Sequence, residues 1–216
     1  MIKKITRKNL DKFLKAYATE KRVLDVGSGG SNYNRFFPNR VTVDINPDKK
    51  PDVIADAHNL PFKDQEFEIV LCTEVFEHVK NPFKVEEELW RILKSGGTLI
   101  LTTRFIFPIH DAPNDFWRFT KYGLRLLFNR WEIVELIEET KTLSTLAVIL
   151  QRIGFQTRLR FNKVAKFLIF LGAFLLDRFN SLILEEYGDI EKTRKEKHIL
   201  SSGYYIVCRK THESNF

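Results

Sequence analysis

The sequence predicts an α/β fold built around a parallel sheet, and two features of its N-terminal part carry that prediction. Residues 22–31 begin as an apolar, β-branched run and end in three glycines and two serines, the pattern of a buried strand followed by a sharp turn. Two further short strands, 41–44 and 51–57, lead to the acids Asp44 and Asp56. Such strand ends meet at the carboxyl edge of a parallel sheet, where nucleotides bind.

The glycine turn favours a nucleoside over a dinucleotide. A dinucleotide fingerprint has the spacing G-x-G-x-x-G, whereas here Gly27 and Gly29 fit and Asn32 stands in the third position. Asp44 lies about as far beyond Gly27 as a ribose-binding carboxylate is expected to lie. Because an ionised carboxylate accepts hydrogen bonds from both ribose hydroxyls, we expect Asp44 to bind the ribose. We expect Asp56 to accept the adenine amino group.

The remaining elements of the sheet region follow from hydrophobic periodicity and from capping residues. We expect helices over 6–20 and 32–37, a third from Asn81-Pro82 to a left-handed cap at Gly96, and a fourth capped by Thr120. We expect strands at 67–73, 98–103, 131–138 and 203–209. Strands and helices therefore alternate along most of the chain.

Five motifs, in the same order and at the same spacing, resemble those of the class I S-adenosylmethionine-dependent methyltransferases with a type 11 domain. They are the stretches 23–29, 43–44, 56–62, 67–79 and 93–99. The resemblance covers roughly residues 20–138 and the last strand. It implies a Rossmann-like, seven-stranded and mostly parallel sheet with helices on both faces and an antiparallel last strand. It also implies S-adenosyl-L-methionine as the cofactor.

We expect the cofactor-binding residues at the ends of the first four strands. Glycines let the backbone approach the ligand closely, and the resemblance implies that the end of the fourth strand contacts the methionine moiety. These residues are Asp25, Gly27, Ser28, Gly29, Asp44, Ile45, Asp56, Ala57, Thr73 and Glu74. The family pattern D-x-G-x-G-x-G has Ser31 at its third glycine, so the turn at the methionine end differs from that pattern.

Residues 107–120 form a loop, because two prolines interrupt a run of titratable and aromatic residues. The loop resembles an H-x-x-P-x-D-aromatic-aromatic-R-[FY]-T run of bacterial type 11 methyltransferases, many of which we associate with glycan or lipid-linked glycan modification. We predict that His110 is a catalytic base and that Asp115 orients it. The predicted substrate-binding residues are His78, Trp117 and Arg118. In the alternative interpretation these side chains are structural, and Arg118 pairs with Asp115.

Residues 139–202 separate the last two strands, which are usually close in sequence in the resembled fold. We therefore assign 1–138 plus 203–216 to the methyltransferase domain and 139–202 to a helical insertion. Within the insertion we expect a helix over 145–152 that ends at Gly154, a helix over 162–179, and a mobile surface loop over 185–198.

The second helix of the insertion is apolar on all sides between residues 167 and 176, yet too short to span a bilayer. Basic side chains precede it, and they suit anionic lipid headgroups. They are Arg152, Arg158, Arg160, Lys163 and Lys166. Three interpretations stay open: an anchor on an anionic membrane surface through 145–180, a lid or lipid pocket over the substrate, and the interface of a homodimer.

Composition and charge leave the partner open. The chain is 44% hydrophobic and 29% charged, which suits one globular domain, and its net charge of +7 suits nucleic acid, an anionic membrane, an acidic substrate or solubility alone. Cys72 and Cys208 lie in apolar, strand-like runs and are expected to be reduced core thiols, without a disulfide or a metal site. Because residues 1–5 lead into no apolar signal region, we expect a cytoplasmic protein, peripheral on the inner membrane face.

The sequence thus predicts transfer of a methyl group to a small-molecule, glycan or lipid-linked acceptor, on oxygen. One alternative is a methyltransferase-fold scaffold protein at the membrane without turnover, and a second is an RNA methyltransferase. Methylation of nucleobase amino groups is disfavoured, because residues 73–76 read Thr-Glu-Val-Phe where such enzymes resemble one another in an [Asn/Asp]-Pro-Pro-aromatic run. A nicotinamide oxidoreductase is disfavoured by Asn32 in the glycine turn.

Overall fold

The computed structural model describes residues 3–211 and contains five α-helices and nine strands within that range. The helices are α1 (Ile5–Ala16), α2 (Pro82–Ile92), α3 (Lys121–Leu127), α4 (Thr142–Gln156) and α5 (Asn162–Arg178). The strands are β1 (Val23–Val26), β2 (Arg40–Asp44), β3 (Val53–Ile54), β4 (Phe67–Thr73), β5 (Leu93–Arg104), β6 (Glu132–Glu138), β7 (Glu186–Tyr187), β8 (Lys195–Glu196) and β9 (Gly203–Arg209). Short 3₁₀ helices occupy Pro47–Lys49 and Phe179–Leu182.

Seven of these strands form one sheet in the order β3-β2-β1-β4-β5-β9-β6. The neighbouring pairs β3–β2, β2–β1, β1–β4 and β4–β5 are parallel. The last strand is antiparallel to β5, because Lys210 exchanges backbone hydrogen bonds with Gly96 and Gly97, whereas Ser202 accepts one from Phe105. The predicted Rossmann-like sheet is therefore confirmed, and its register brings the ends of β1, β2 and β4 to one edge.

Two local predictions in the sheet region are wrong. Residues 32–37 form turns and no helix, since the amides of Phe36 and Phe37 both donate to the carbonyl of Tyr33. The short connection between β1 and β2 buries the rings of Tyr33 and Phe37, which leaves no length for helical turns. Gly96 does not end α2, which stops at Ile92; it lies within β5 at a φ of 73°.

Two predictions in the insertion are also wrong. Gly154 does not end a helix, because α4 continues through it to Gln156. A Cβ at Gly154 would lie 2.7 Å from the ring of Phe170 on α5, so the glycine permits close helix packing instead. Residues 185–198 contain the paired strands β7 and β8 where a loop was expected.

The chain divides into two compact units. One takes the N-terminal residues up to Lys12, then Phe105–Ile109 and Glu138–Gly203, and it holds α4, α5 and the β7–β8 pair. The other takes Phe13–Arg104, His110–Ile137 and the chain from Tyr204, and it holds most of the sheet. Cys72 and Cys208 are buried free thiols on β4 and β9. Within residues 3–211, the helices all fall short of the length and apolarity that crossing a bilayer requires.

Candidate active site

A cavity of about 570 Å³ opens at the carboxyl edge of the parallel strands, and we call it the edge cavity. Predicted site residues make up much of its wall: Gly27, Gly29, Asp44, Ile45, Asp56, Ala57, Glu74 and His78. The wall also includes His58, Val75, Lys80 and Asn114, to which the sequence analysis gave no role. The strand tips thus converge on one space, as their order in the sheet requires.

Asp44 is fixed at the end of β2 by two backbone amides. Its Oδ2 accepts a hydrogen bond from Gly29 at 2.7 Å, and its Oδ1 accepts one from Asn46 at 2.9 Å. Gly27 has a φ of 68°, and a Cβ there would lie 2.2 Å from Val75. The glycine turn and the carboxylate are therefore held in one rigid arrangement.

Asp56 forms a pair with His58 on the opposite part of the cavity wall. Its Oδ1 accepts from the His58 amide at 2.9 Å and lies 2.5 Å from His58 Nδ1, while the Asn81 amide donates to His58 Nε2. Burial raises the pKa of Asp56, but the hydrogen bonds and charge of His58, with the charge of Lys80, outweigh it and hold that pKa below its usual value. Asp56 therefore stays an ionised acceptor. His58 is a site residue that the sequence analysis missed, and its position two residues after Asp56 is the sequence feature that could have identified it.

Asp25, Ser28 and Thr73 lie outside the wall of the edge cavity. Asp25 is fully buried and ion-pairs with Arg40, whose guanidinium also donates to the Ser31 carbonyl. Burial raises the pKa of Asp25 to about 7, although Arg40 acts in the opposite direction. We infer that Asp25 stabilises the glycine turn through Arg40, which contacts both Asp25 and the Ser31 carbonyl.

Ser28 and Thr73, the other two predicted cofactor-binding residues outside the wall, have neighbours of their own. The predicted loop residues His110, Asp115, Trp117 and Arg118 do not line the edge cavity either. Ser28 lines a smaller cavity of about 380 Å³ together with Arg40. The Thr73 hydroxyl is buried 3.4 Å from that of Tyr33. Neither side chain faces the space that Asp44 and Asp56 share.

The loop after β5 is held by polar contacts that favour the structural interpretation of its charged side chains. Asp115 accepts two hydrogen bonds from Arg118, at 2.6 and 2.7 Å, and a third from the His110 amide at 2.9 Å. The Arg118 guanidinium holds the pKa of Asp115 well below its usual value. Trp117 Nε1 donates to the Val79 carbonyl at 2.9 Å, which anchors the loop at the end of β4.

Glu77, His78 and His110 meet beside the edge cavity, and we call them the Glu-His-His cluster. The His78 and His110 rings are 4.7 Å apart, and His110 Nε2 lies 3.9 Å from Glu77 Oε1. His110 Nδ1 lies 3.5 Å from Asp115 Oδ2. Glu77 is fully buried, which raises its pKa to about 6. The sequence analysis gave Glu77 no role, since its burial depends on the loop after β5.

Comparison with known families decides the class of protein. Residues 24–101 match the family model described as a methyltransferase domain, type 11. Residues 24–101 are a methyltransferase domain of this family. The domain is that of an S-adenosylmethionine-dependent methyltransferase, and S-adenosylmethionine is its cofactor.

The chain is also similar to curated proteins and to solved structures. The uncharacterised protein MJ1123 of Methanocaldococcus jannaschii is 33% identical over 58% of this chain and 66% of its own length. The uncharacterised methyltransferase YcgJ of Bacillus subtilis is 28% identical over 44% of this chain and 43% of its own length. The chain thus spans no more than about two thirds of these relatives. The solved structure of the [4+2]-cyclase SpnF matches 95% of this chain and 81% of its own at a TM-score of 0.59 and 16% identity, which shows the fold alone.

The edge cavity fits S-adenosylmethionine in its donors, acceptors and apolar wall. Asp44 offers a fixed carboxylate for a ribose diol, and Asp56 offers one for an amino group. The exposed side chain of Ile45 lies in the same wall and supplies an apolar surface for an adenine ring. Gly27 lines the cavity with its backbone, and only glycine fits there because a side chain would strike Val75.

Proposed function

We propose that this methyltransferase moves a methyl group from S-adenosylmethionine to a hydroxyl of a small-molecule, glycan or lipid-linked acceptor. The observation that supports this most is that Asp44 and Asp56, suited to an adenosyl group, share a cavity wall with His78. When bound, the cofactor supplies a reactive methyl on its sulfonium. The residues of this chain hold the acceptor in line and help its hydroxyl to lose a proton.

We assign removal of that proton to the Glu-His-His cluster, with His110 as the proposed base and Asp115 as the residue that orients it. Asp115 is itself fixed by Arg118, so the imidazole of His110 has a rigid support. The neighbouring ring of His78 connects His110 to the cavity wall. Trp117 and Arg118 serve the acceptor in this proposal by holding the loop that forms its site.

Methyl transfer is tested with S-adenosylmethionine that carries a labelled methyl group. We expect the purified protein to label a glycan or lipid fraction of a bacterial extract, in a form that resists mild alkali because an ether has formed. The Asp44→Ala protein is the control and should label nothing. Label in the RNA fraction alone would replace this proposal with the RNA methyltransferase alternative, and absence of label from every fraction would favour a scaffold protein.

We further propose that the outer face of α5 docks on an anionic membrane surface, where a lipid-linked acceptor would lie. Ala173 is the only residue that the structure buries within α5. Large apolar side chains stand exposed along α5 and its flanks: Phe161, Val164, Phe167, Leu168, Leu171, Phe174, Leu175, Phe179 and Leu182. Exposed Arg158, Arg160, Lys163 and Arg178 flank this face, so its charge complements anionic headgroups.

Flotation with lipid vesicles tests the membrane proposal. We expect the protein to float with phosphatidylglycerol vesicles and to bind phosphatidylcholine vesicles weakly. Burial of apolar side chains contributes to binding with both lipids, whereas attraction of the basic side chains contributes only with the anionic one. Phe167→Glu with Phe174→Glu should abolish flotation, whereas Phe83→Glu with Leu126→Glu, at exposed apolar sites on α2 and α3, should leave it unchanged. If the unmodified protein stays unbound and sediments as a dimer that the first pair of changes dissociates, the face is a dimer interface instead.

A further inference from the structure

We propose that Glu77, His78 and His110 bind a divalent transition-metal ion beside the edge cavity. One potential ligand atom from each of these residues lies within 4.8 Å of the other two. Two imidazoles and one carboxylate are a ligand set that suits zinc, iron, manganese or cobalt, and three protein ligands leave positions open. This inference departs from the expectation of no metal site. Two of the ligands are adjacent in sequence and the third comes from a distant loop, so the set forms no recognisable spacing in the sequence.

The buried carboxylate of Glu77 gives independent support for a cation. Glu77 is fully buried, and its Oε2 accepts a hydrogen bond from the Thr103 hydroxyl at 2.9 Å. Within the described residues its Oε1 has no hydrogen-bond partner, and this atom is the one that faces His110 Nε2. Arg104 and Arg118 act on Glu77 through their charge, without such a bond to Oε1. A buried acceptor of this kind calls for an explanation, and a cation at the cluster provides one.

The imidazole of His78 is oriented as in metal sites, and the imidazole of His110 lies between two carboxylates. His78 Nδ1 lies 2.5 Å from the Asn114 carbonyl oxygen, which only accepts, so Nδ1 carries the proton and Nε2 keeps its lone pair. His110 Nδ1 lies 3.5 Å from Asp115, while its Nε2 faces Glu77. Histidines that bind metals commonly direct the second ring nitrogen at a carbonyl or a carboxylate, as His78 does.

A metal ion here would assist the acceptor, and this part of the inference rests on the proposed function. A hydroxyl that coordinates a divalent cation has a lowered pKa, so its proton leaves to solvent more readily. The oxygen then forms a bond to the methyl carbon as the carbon–sulfur bond breaks, and S-adenosylhomocysteine is the leaving group. His110 acts as a ligand in this scheme, in place of a base.

Titration of the metal-free protein with Co²⁺ and Zn²⁺, in the absence of cofactor and acceptor, tests the site. We expect one Co²⁺ per chain with visible absorption bands that Zn²⁺ displaces. Glu77→Gln and His110→Asn should each weaken binding by at least about 100-fold, since loss of an outer partner alone costs about 10- to 100-fold. His198→Asn, at a histidine that pairs with Glu186 in the other compact unit, should bind Co²⁺ like the unmodified protein.

The outcomes separate the metal site from the methyl-transfer proposal. Stoichiometric Co²⁺ binding that both cluster variants lose, while their far-ultraviolet spectra remain native, supports the site even if no acceptor is methylated. Absence of Co²⁺ bands, or equal binding by the Glu77→Gln protein, would overturn it. Labelling of an acceptor at an unchanged rate in the presence of a chelator would overturn the role of the metal ion in methyl transfer, and would leave His110 as the base.

Discussion

Replacing Asp44 with alanine should weaken binding of S-adenosylhomocysteine by at least about 100-fold. A carboxylate that accepts two ribose hydroxyls contributes two charge-assisted hydrogen bonds of about 1.5–3 kcal/mol each, and about 1.4 kcal/mol corresponds to a tenfold change in affinity. The substitution also removes the acceptor that fixes the Gly29 and Asn46 amides, so the glycine turn loses part of its support. Calorimetric titration measures the change directly.

Asp48→Ala is the matched control for this prediction. Asp48 is an exposed aspartate on the 3₁₀ helix that follows β2, and it is not among the residues that line the edge cavity. Loss of Asp48 changes the net charge by the same amount and should leave the dissociation constant within about twofold of the unmodified value, because salt screens exposed charges. Equal affinities for the Asp44→Ala and unmodified proteins would remove Asp44 from the cofactor site.

Arg40→Ala should destabilise the fold by about 3–5 kcal/mol, because it leaves the buried carboxylate of Asp25 without its cation. Burial already raises the pKa of Asp25 to about 7, and loss of Arg40 raises it further. Since the folded state then holds a proton that the unfolded state has released, stability falls as pH rises through this range. Urea unfolding at about pH 6 and about pH 8 should therefore show the larger loss at the higher pH.

Arg209→Ala provides the comparison for Arg40. Arg209 pairs with Glu132 at 3.1 Å, but both side chains are about half exposed. Exposed ion pairs contribute about 0–1 kcal/mol, so this change should be small at either pH. An Arg40→Ala protein as stable as the Arg209→Ala protein would show that Asp25 does not need its cation.

The strand ends of the site could be predicted from the sequence because parallel topology dictates where they meet. Gly27 and Asp44 follow short apolar runs, and the carboxyl ends of neighbouring parallel strands share one edge. The hydrophobic pattern of the sequence could not show which side chains near the loop after β5 are buried. Asp115 and Arg118 pair three residues apart, as one interpretation of the loop had it. Glu77, in contrast, is buried under the loop after β5 through contacts between segments far apart in the chain.

Glycines illustrate the same limit on local prediction. At Gly27 the positive φ and the neighbouring Val75 require glycine, as the turn pattern indicated. At Gly154 the pattern indicated a helix end, yet the residue lies inside α4 because Phe170 of α5 packs against it. A glycine that ends a helix and one that admits a neighbouring helix look the same in a single sequence.

The fold by itself leaves the chemistry open, since a solved structure of similar fold is that of a [4+2]-cyclase. The central claim is therefore that the edge cavity holds an adenosyl group between Asp44 and Asp56. A crystal structure of the protein with S-adenosylhomocysteine tests it most directly. We predict both ribose hydroxyls within hydrogen-bond distance of the Asp44 carboxylate and the adenine beside Ile45, with its amino group at Asp56. Density for the ligand elsewhere, or an Asp44 carboxylate that makes no contact with the ribose, would contradict the account.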